Sequence, residues 1–432
     1  MHRVLRVGYE AAAQLARASA AVAGRVADNA EAKAVRALRA RHGIRARYSA
    51  WGDRYRDESR PLLWMHAPSV GEGLQAKPVL ELLRRRRPEI QLAYTHFSPS
   101  AERLASSLDV DFRDYLPFDS IGDARVALDA LRPSALVFSK LDVWPTLTDI
   151  AHRRRVRLGL VSATLSASSS RRTRLAAALL RDAYRVLDLV GSIDAADADR
   201  LIALGVRPQS IVVTGDTRYD QVWERAQRVD RASPPLAPLV APRPTLVAGS
   251  TWPADEAVLL PAFAIVRKQL RGARLVIAPH EPTEAHLEPI ERWSASQQLR
   301  LARLAAATAD HDVVLVDRVG VLGDLYALAH AAFVGGGFHA AGLHSVLEPA
   351  AFGAPVVFGP RFTGSRDAHL LIAAGGGQSA WDSASLAQVS VAWLGDDGAR
   401  QAAGTRARDV VRSGLGAAER SLQLVESLLR SV

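Results

Sequence analysis

The sequence contains no cysteine, which excludes disulfides, thiolate metal sites and a cysteine nucleophile. It also lacks a long apolar run. In residues 1–48 the apolar stretches are broken by Arg6, Glu10, Arg17 and Arg25. None therefore reaches the roughly 18–20 residues that cross a bilayer, and the same charges interrupt the apolar core of a signal peptide. There is no internal repeat beyond two βα-rich halves of similar size, and no low-complexity tail. No Asp-x-Asp motif or metal-spaced histidine cluster lies in a candidate loop. Acidic residues are outnumbered, 45 against 55 Lys and Arg, for a formal charge of +10. That excess favours an anionic partner such as a phosphorylated substrate or an acidic membrane surface. Nucleic acid is the weakest option, because the basic residues are scattered or complement helix dipoles and lack interleaved aromatics.

What is present is a long series of βα units. At 432 residues, 48% of them hydrophobic, the chain is long enough for two or three domains, each with its own core. Residues 1–48 read as an Ala- and Arg-rich helical segment. It is either an interfacial helix with arginines snorkelling to headgroups or a helix packed on the domain with a solvated basic face. Strands are expected at 61–67, 90–95, 135–138, 157–161, 189–193 and 211–213, alternating with helices, which means a parallel sheet covered on both faces. The segment 231–244, RASPPLAPLVAPRP, is too proline-rich for a helix interior or a central strand and reads as a linker. Beyond it the pattern restarts with strands at 245–248, 274–278, 313–316 and 332–334. The expected divisions are therefore 1–48, 49–230, 231–244, 245–415 and a C-terminal helix over 416–432. Two doubly wound α/β domains imply a cleft faced by strand C-termini.

Loops at those strand ends carry the chemistry. Ala332–Pro360 reads strand, glycine loop (Gly335, Gly336, Gly337), helix, strand, with Ser345 as the expected N-cap. This arrangement aims free N–H groups and a helix dipole at a phosphate, and Glu348 is placed to reach a pair of ribose hydroxyls. An ordinary βαβ unit with tight glycine turns accounts for the same residues. Ser250 and Thr251 offer hydroxyls for a phosphate, and His280 follows the next strand. His344 either touches ligand or caps its own backbone. In the first half, Glu72 stands at the start of a helix, where the dipole stabilises the anion and suits a base; a simple N-terminal charge complement is the commoner reason for a carboxylate there. Arg218 and Asp220 read as an interdomain pair, and Trp64, Trp144 and Tyr326 as core.

In order along the chain, HAPSVGEG (66–73), SKLDVWP (139–145), SATLS (162–166), TGDTRYD (214–220), AGSTWPADE (248–256), APHEP (278–282) and GGGFHAAGLHSVLEPAAFGAPVVFGP (335–360) resemble the motifs of bacterial 3-deoxy-D-manno-octulosonic acid (Kdo) transferases. The similarity covers about residues 45–430. It implies a GT-B fold of two Rossmann-like domains facing a central cleft: acceptor-binding over 49–230 and nucleotide-sugar-binding over 245–415. It further implies transfer of Kdo from CMP-Kdo to a lipid A precursor, inverting, without metal or cofactor. The protein would then sit peripherally on the cytoplasmic face of the inner membrane or in the cytoplasm. Under the resemblance Glu72 is the general base, with Ser69 and Gly71 in its loop. Glu348 holds the ribose, and Gly335–Gly337, Ser250, Thr251, His280 and Ser345 surround nucleotide and phosphate. Lys140 and Asp142 fall on the acceptor or sugar side. Many members carry Glu-Thr-Glu-Leu-Trp-Pro where this chain has Lys140 and Asp142 in the acidic positions, and His-Asn-Pro-Leu-Glu where it has His344–Glu348. These departures leave the acceptor open, with a GT-B transferase of another donor or acceptor, or a silent glycolipid-binding relative, as alternatives.

Overall fold

The computed structural model describes residues 3–23, 33–166, 169–340 and 342–430. Residues 24–32, within the expected N-terminal helical segment, and 431–432, at the end of the expected C-terminal helix, lie outside the described residues. Apolar runs such as Leu62–His66 and Ala135–Ser139 are buried at every position, as strands covered on both faces must be. They belong to a first parallel sheet of β1 (Leu62–His66), β2 (Gln91–His96), β3 (Phe112–Tyr115), β4 (Ala135–Ser139), β5 (Arg157–Ala163), β6 (Leu189–Ser192) and β7 (Ile211–Val213), in the order 3-2-1-4-5-6-7. A second parallel sheet contains β8 (Thr245–Thr251), β9 (Arg274–Pro279), β10 (Leu301–Arg303), β11 (Val313–Leu315), β12 (Ala331–Val334), β13 (Val356–Phe358) and β14 (Gly377–Ser379), in the order 10-11-9-8-12-13-14. Both sheets are doubly wound. The order reverses between β1 and β4 in one and between β8 and β12 in the other, and these are the points where such sheets open a crevice for ligand.

Two compact units follow, residues 1–221 with 415–432 and residues 222–414. The exchange falls inside the helix Thr217–Arg228, ahead of the proline-rich stretch read as a linker. That stretch packs on the second unit, with Leu236 and Leu239 buried in its core. The C-terminal helix Ala417–Arg430 belongs to the first unit, burying Leu422, Val425 and Leu428 against its sheet. A side chain at Gly159 on β5 would overlap Leu428, so this close approach requires glycine. Asp220 accepts the N–H groups of Gly416 and Ala418 at 2.7 and 2.8 Å, capping the same helix. Arg218 pairs with Asp216 at 2.7 Å. Within the first unit, Asp220 thus caps the C-terminal helix and Arg218 pairs with Asp216.

The helix Arg3–Ala23 docks through its polar side. Tyr9 donates to Asp119 at 2.8 Å, and Glu10 accepts the N–H of Ile121. Asp119 also receives the N–H groups of Thr146 and Leu147. Burial nevertheless holds its carboxyl up to about 6. Val7, Ala11, Leu15 and Ala18 form an outward stripe at helical spacing, and Val7 and Leu15 are each 70% exposed. No described helix is long and apolar enough to cross a membrane.

Candidate active site

In the first unit, the reversal between β1 and β4 places the loop after β1 beside the end of β4. The helix Val70–Arg86 starts there with Ser69 as N-cap and Glu72 in its first turn. Ser-x-x-Glu is the capping-box pattern, in which the serine oxygen would accept the Glu72 N–H. That bond is not made. The Ser69 hydroxyl instead donates to the Glu72 carboxylate in a short contact, and Lys140 Nζ lies 3.2 Å from its other oxygen. Ser139 Oγ donates to the Glu72 carbonyl at 3.0 Å. The Glu72 side chain is 17% exposed and that of Lys140 40%, so the pair is anchored yet open to solvent.

Lys140 reaches Glu72 from a left-handed backbone, φ 69°. Ser162 on β5 and Ser250 on β8 share that conformation, with φ 50° and 54°. Non-glycine residues held this way cost about 1–2 kcal/mol each, and all three stand at or near the C-terminal ends of strands. Asp142 pairs with Arg171, and burial raises its carboxyl above the usual range despite that cation. His66 is buried, accepts from Trp144 Nε1 at 3.2 Å and is pushed down to about 3 by desolvation. It is therefore neutral structure, and Trp64 and Trp144 pack around it as core. The motif residue Thr217 bonds Ser162 Oγ and donates to the Gln75 carbonyl, bracing the helix that carries Glu72.

In the second unit, the reversal between β8 and β12 brings together Ser250–Trp252 and the glycine loop. Two of the three glycine N–H groups that the sequence pattern aims at a phosphate are taken within the fold. Gly335 donates to the Gly249 carbonyl, Gly336 to Asp255 Oδ2 at 2.7 Å and Phe338 to Asp255 Oδ1 at 2.9 Å. Asp255 is fully buried and takes a third bond from Trp252 N–H. The glycines are needed for closeness: a Cβ on Gly335 would overlap the Ser250 carbonyl, and one on Gly336 the Gly342 carbonyl. Ser345 is exposed and caps nothing. The following helix is only Leu347–Ala351, with Val346 in the cap position, because Pro349 and Gly353 leave it no room to extend. Thr251 is buried, and its hydroxyl donates to Glu256 at 2.8 Å, so it faces inward.

An aromatic and imidazole cluster lines this edge. Trp252 stacks on His339 at 4.5 Å and lies 4.6 Å from His280, which stacks on His344 at 4.6 Å. Trp252 Nε1 donates to His344 Nε2 at 3.2 Å, so His344 does not cap its own backbone. Burial and the neighbouring His280 lower its pKa. Glu348 is partly buried near Arg225, Asp324 and the buried Tyr326. Its carboxyl is raised by desolvation against the pull of Arg225, and no hydrogen bond from another described residue reaches it.

Residues 38–221 match the family model for 3-deoxy-D-manno-octulosonic-acid transferase (kdotransferase). The transferase of Chlamydophila psittaci is 31% identical over 329 residues, 73% of this chain and 74% of that protein. The chain belongs to the 3-deoxy-D-manno-octulosonic acid transferase family. Such a transferase from Bordetella pertussis is 29% identical over 85% of this chain and 87% of that protein, and one from Haemophilus influenzae 25% identical over 91% and 93%. This Kdo-transferase-family chain is accordingly a glycosyltransferase. Its fold also resembles UDP-GlcNAc 2-epimerase from Neisseria meningitidis bound to UDP-GlcNAc, with TM-score 0.62, 14% identity and coverage of 86% of this chain and 100% of that one. UDP-GlcNAc 2-epimerase from Methanocaldococcus jannaschii gives 0.55 and 12%, over 82% and 99%. At that identity the likeness bears on the fold alone, and it agrees with the GT-B pair of Rossmann-like units expected from sequence.

The sequence reading singles out the loops after β1 and β4 in the first unit and after β8, β9 and β12 in the second, but not Asp255, Trp252, His339 or Arg171. The missed signal was local. Asp255 stands three residues after Trp252 at a helix start, the position from which a carboxylate receives the cap N–H.

Proposed function

We propose that this transferase moves Kdo from CMP-Kdo to a lipid A precursor by direct displacement with inversion, Glu72 serving as general base. The observation that carries the reading is the Glu72 carboxylate, held by the Ser69 hydroxyl and Lys140 at a topological switch point. A carboxylate so held accepts a proton from an acceptor hydroxyl as that oxygen attacks the anomeric carbon. CMP leaves as a monophosphate ester, which cations and N–H groups stabilise. In the second unit Glu348, with a carboxylate not taken by its neighbours, suits a ribose diol. Ser250 and the Trp252–His280–His339–His344 cluster offer donors and a flat face for the nucleotide and its phosphate. The outward apolar stripe of the helix Arg3–Ala23 supports a peripheral position on the cytoplasmic face of the inner membrane, where a lipid acceptor resides.

The test is incubation with in situ generated CMP-Kdo and a lipid A precursor, following product and CMP together in the presence of a chelator. Equal release of CMP and inverted Kdo product is expected, with no turnover of UDP-, GDP- or ADP-sugars. Turnover of one of those donors with none of CMP-Kdo overturns the donor assignment.

Lys140 gives a sharper handle on the same half-site. A Lys140→Met enzyme removes the cation beside the Glu72 anion. Turnover is expected to fall by under about tenfold, because the pair is partly exposed. Unchanged turnover would show that Lys140 does not act through Glu72.

A further inference from the structure

The second sheet has two ends, and the candidate nucleotide site occupies only the C-terminal one. At the N-terminal end lies a cavity of about 240 Å³, lined among others by Arg231, Arg274, His330 and Arg400. Arg274 opens β9, His330 immediately precedes β12, and Arg400 lies in the first turn of the helix Asp397–Ser413. Strands of six and seven residues, β9 and β8, separate this end from the other by about 20 Å at roughly 3.3 Å per residue. The two places are therefore physically distinct.

Arg274 is the decisive residue. It is 1% exposed. Nη1 donates to the Leu239 carbonyl at 2.6 Å, while Nε is buried with no partner. Among the described residues no carboxylate lies within the ion-pair distance of Arg274 or of Arg231, whereas Asp312 nearby is shared by Arg243, Arg267 and Arg300. Burying a guanidinium without a counter-charge is strongly unfavourable, and the repulsion of Arg243 adds to it. Arg400 has one carboxylate, Asp397, at 2.6 Å. His330 Nδ1 accepts the Thr245 N–H at 3.3 Å, and the ring also meets the Leu328 backbone. The wall that contributes Arg231, Val240 and Ala241 is the proline-rich stretch, stiffened by five prolines and pinned by Leu236 and Leu239. It is preformed rather than assembled on binding.

We infer that this cavity is a second, anion-binding site, built for a small phosphate-bearing ligand held chiefly by Arg231, Arg274 and Arg400. At about 30 Å³ per water in the liquid, its volume exceeds one phosphate group. The class is thus a phosphorylated small molecule or a pyrophosphate rather than a lone ion. The inference does not depend on which sugar is transferred.

The experiment is thermal unfolding of the full chain titrated with inorganic phosphate and with pyrophosphate, at fixed ionic strength and with CMP saturating throughout. A ligand that binds only the folded state raises Tm saturably. Expected are a saturable rise in wild type, tighter for pyrophosphate, and a loss of affinity of roughly tenfold to a hundredfold in Arg274→Gln, the scale of a charge-assisted bond. Arg231→Gln, at an exposed position on the rim, is expected to lose affinity similarly while leaving turnover unchanged, and it carries the test if Arg274→Gln fails to fold. No saturable rise in the presence of CMP, or equal affinity in the Arg231 variant, would each overturn the site. So would binding confined to phosphatidic acid vesicles with none to the free anions.

Discussion

A Glu72→Gln enzyme is expected to fold, to keep its donor affinity, and to turn over about 10²–10⁴-fold more slowly, the usual range for loss of a general base. Glutamine matches the shape of the side chain and keeps an oxygen for the Ser69 hydroxyl. It cannot take the proton of an acceptor hydroxyl, and it removes the negative partner of Lys140. Because the Lys140 pair is partly open to solvent, its loss costs little stability, so the defect should appear in kcat rather than in Tm. Stopped-time assays of product formation, with thermal unfolding in parallel, separate the two. Near-normal turnover would remove Glu72 from the chemistry and leave its contacts as a helix-start arrangement.

Asp255→Ala is expected to do the reverse, damaging the second unit before it touches catalysis. Three N–H groups, of Trp252, Gly336 and Phe338, end on this one buried carboxylate. Removing it strands them where water does not replace the bonds, at about 1–3 kcal/mol for each group left unsatisfied. With partial relaxation the total is about 3–5 kcal/mol, or roughly 10 °C in Tm for a unit of this size. The same clamp fixes Trp252 and the glycine loop around the candidate nucleotide site, so CMP affinity should fall as well. A variant melting within a degree or two of wild type would show that packing of the glycines alone holds the loop.

The central strands were legible because strands covered on both faces must be almost wholly apolar, and Leu62–His66, Ala135–Ser139 and Ala331–Val334 are. The strands that escaped, β3, β10 and β14, are all at sheet edges. Their sequences Phe-Arg-Asp-Tyr, Leu-Ala-Arg and Gly-Gln-Ser carry polar residues that a central strand would exclude. At the site, Glu72 was legible as a charge at a helix start. Its actual partners were not, since Ser69 departs from the capping bond that its own spacing favours. The glycine loop shows the opposite error. Its pattern was read as a phosphate cradle, but which N–H groups remain available depends on Asp255, about eighty residues earlier, and long-range bonds of that kind leave no trace in local spacing. The proline-rich segment reads from composition as a linker. Its two buried leucines decide otherwise, and only packing reveals them.

The return of the helix Ala417–Arg430 to the first unit has a consequence for biosynthesis. The sheet made first on the ribosome keeps an apolar face uncovered until residues 417–430 have been made. The unit made second, residues 222–414, has by then all of its strands. Folding order is thereby set against translation order: the later unit can close while the earlier one waits, held by chaperones or by its own partial collapse. A chain interrupted just before residue 415 would carry a nearly complete second unit beside a first unit lacking its last helix.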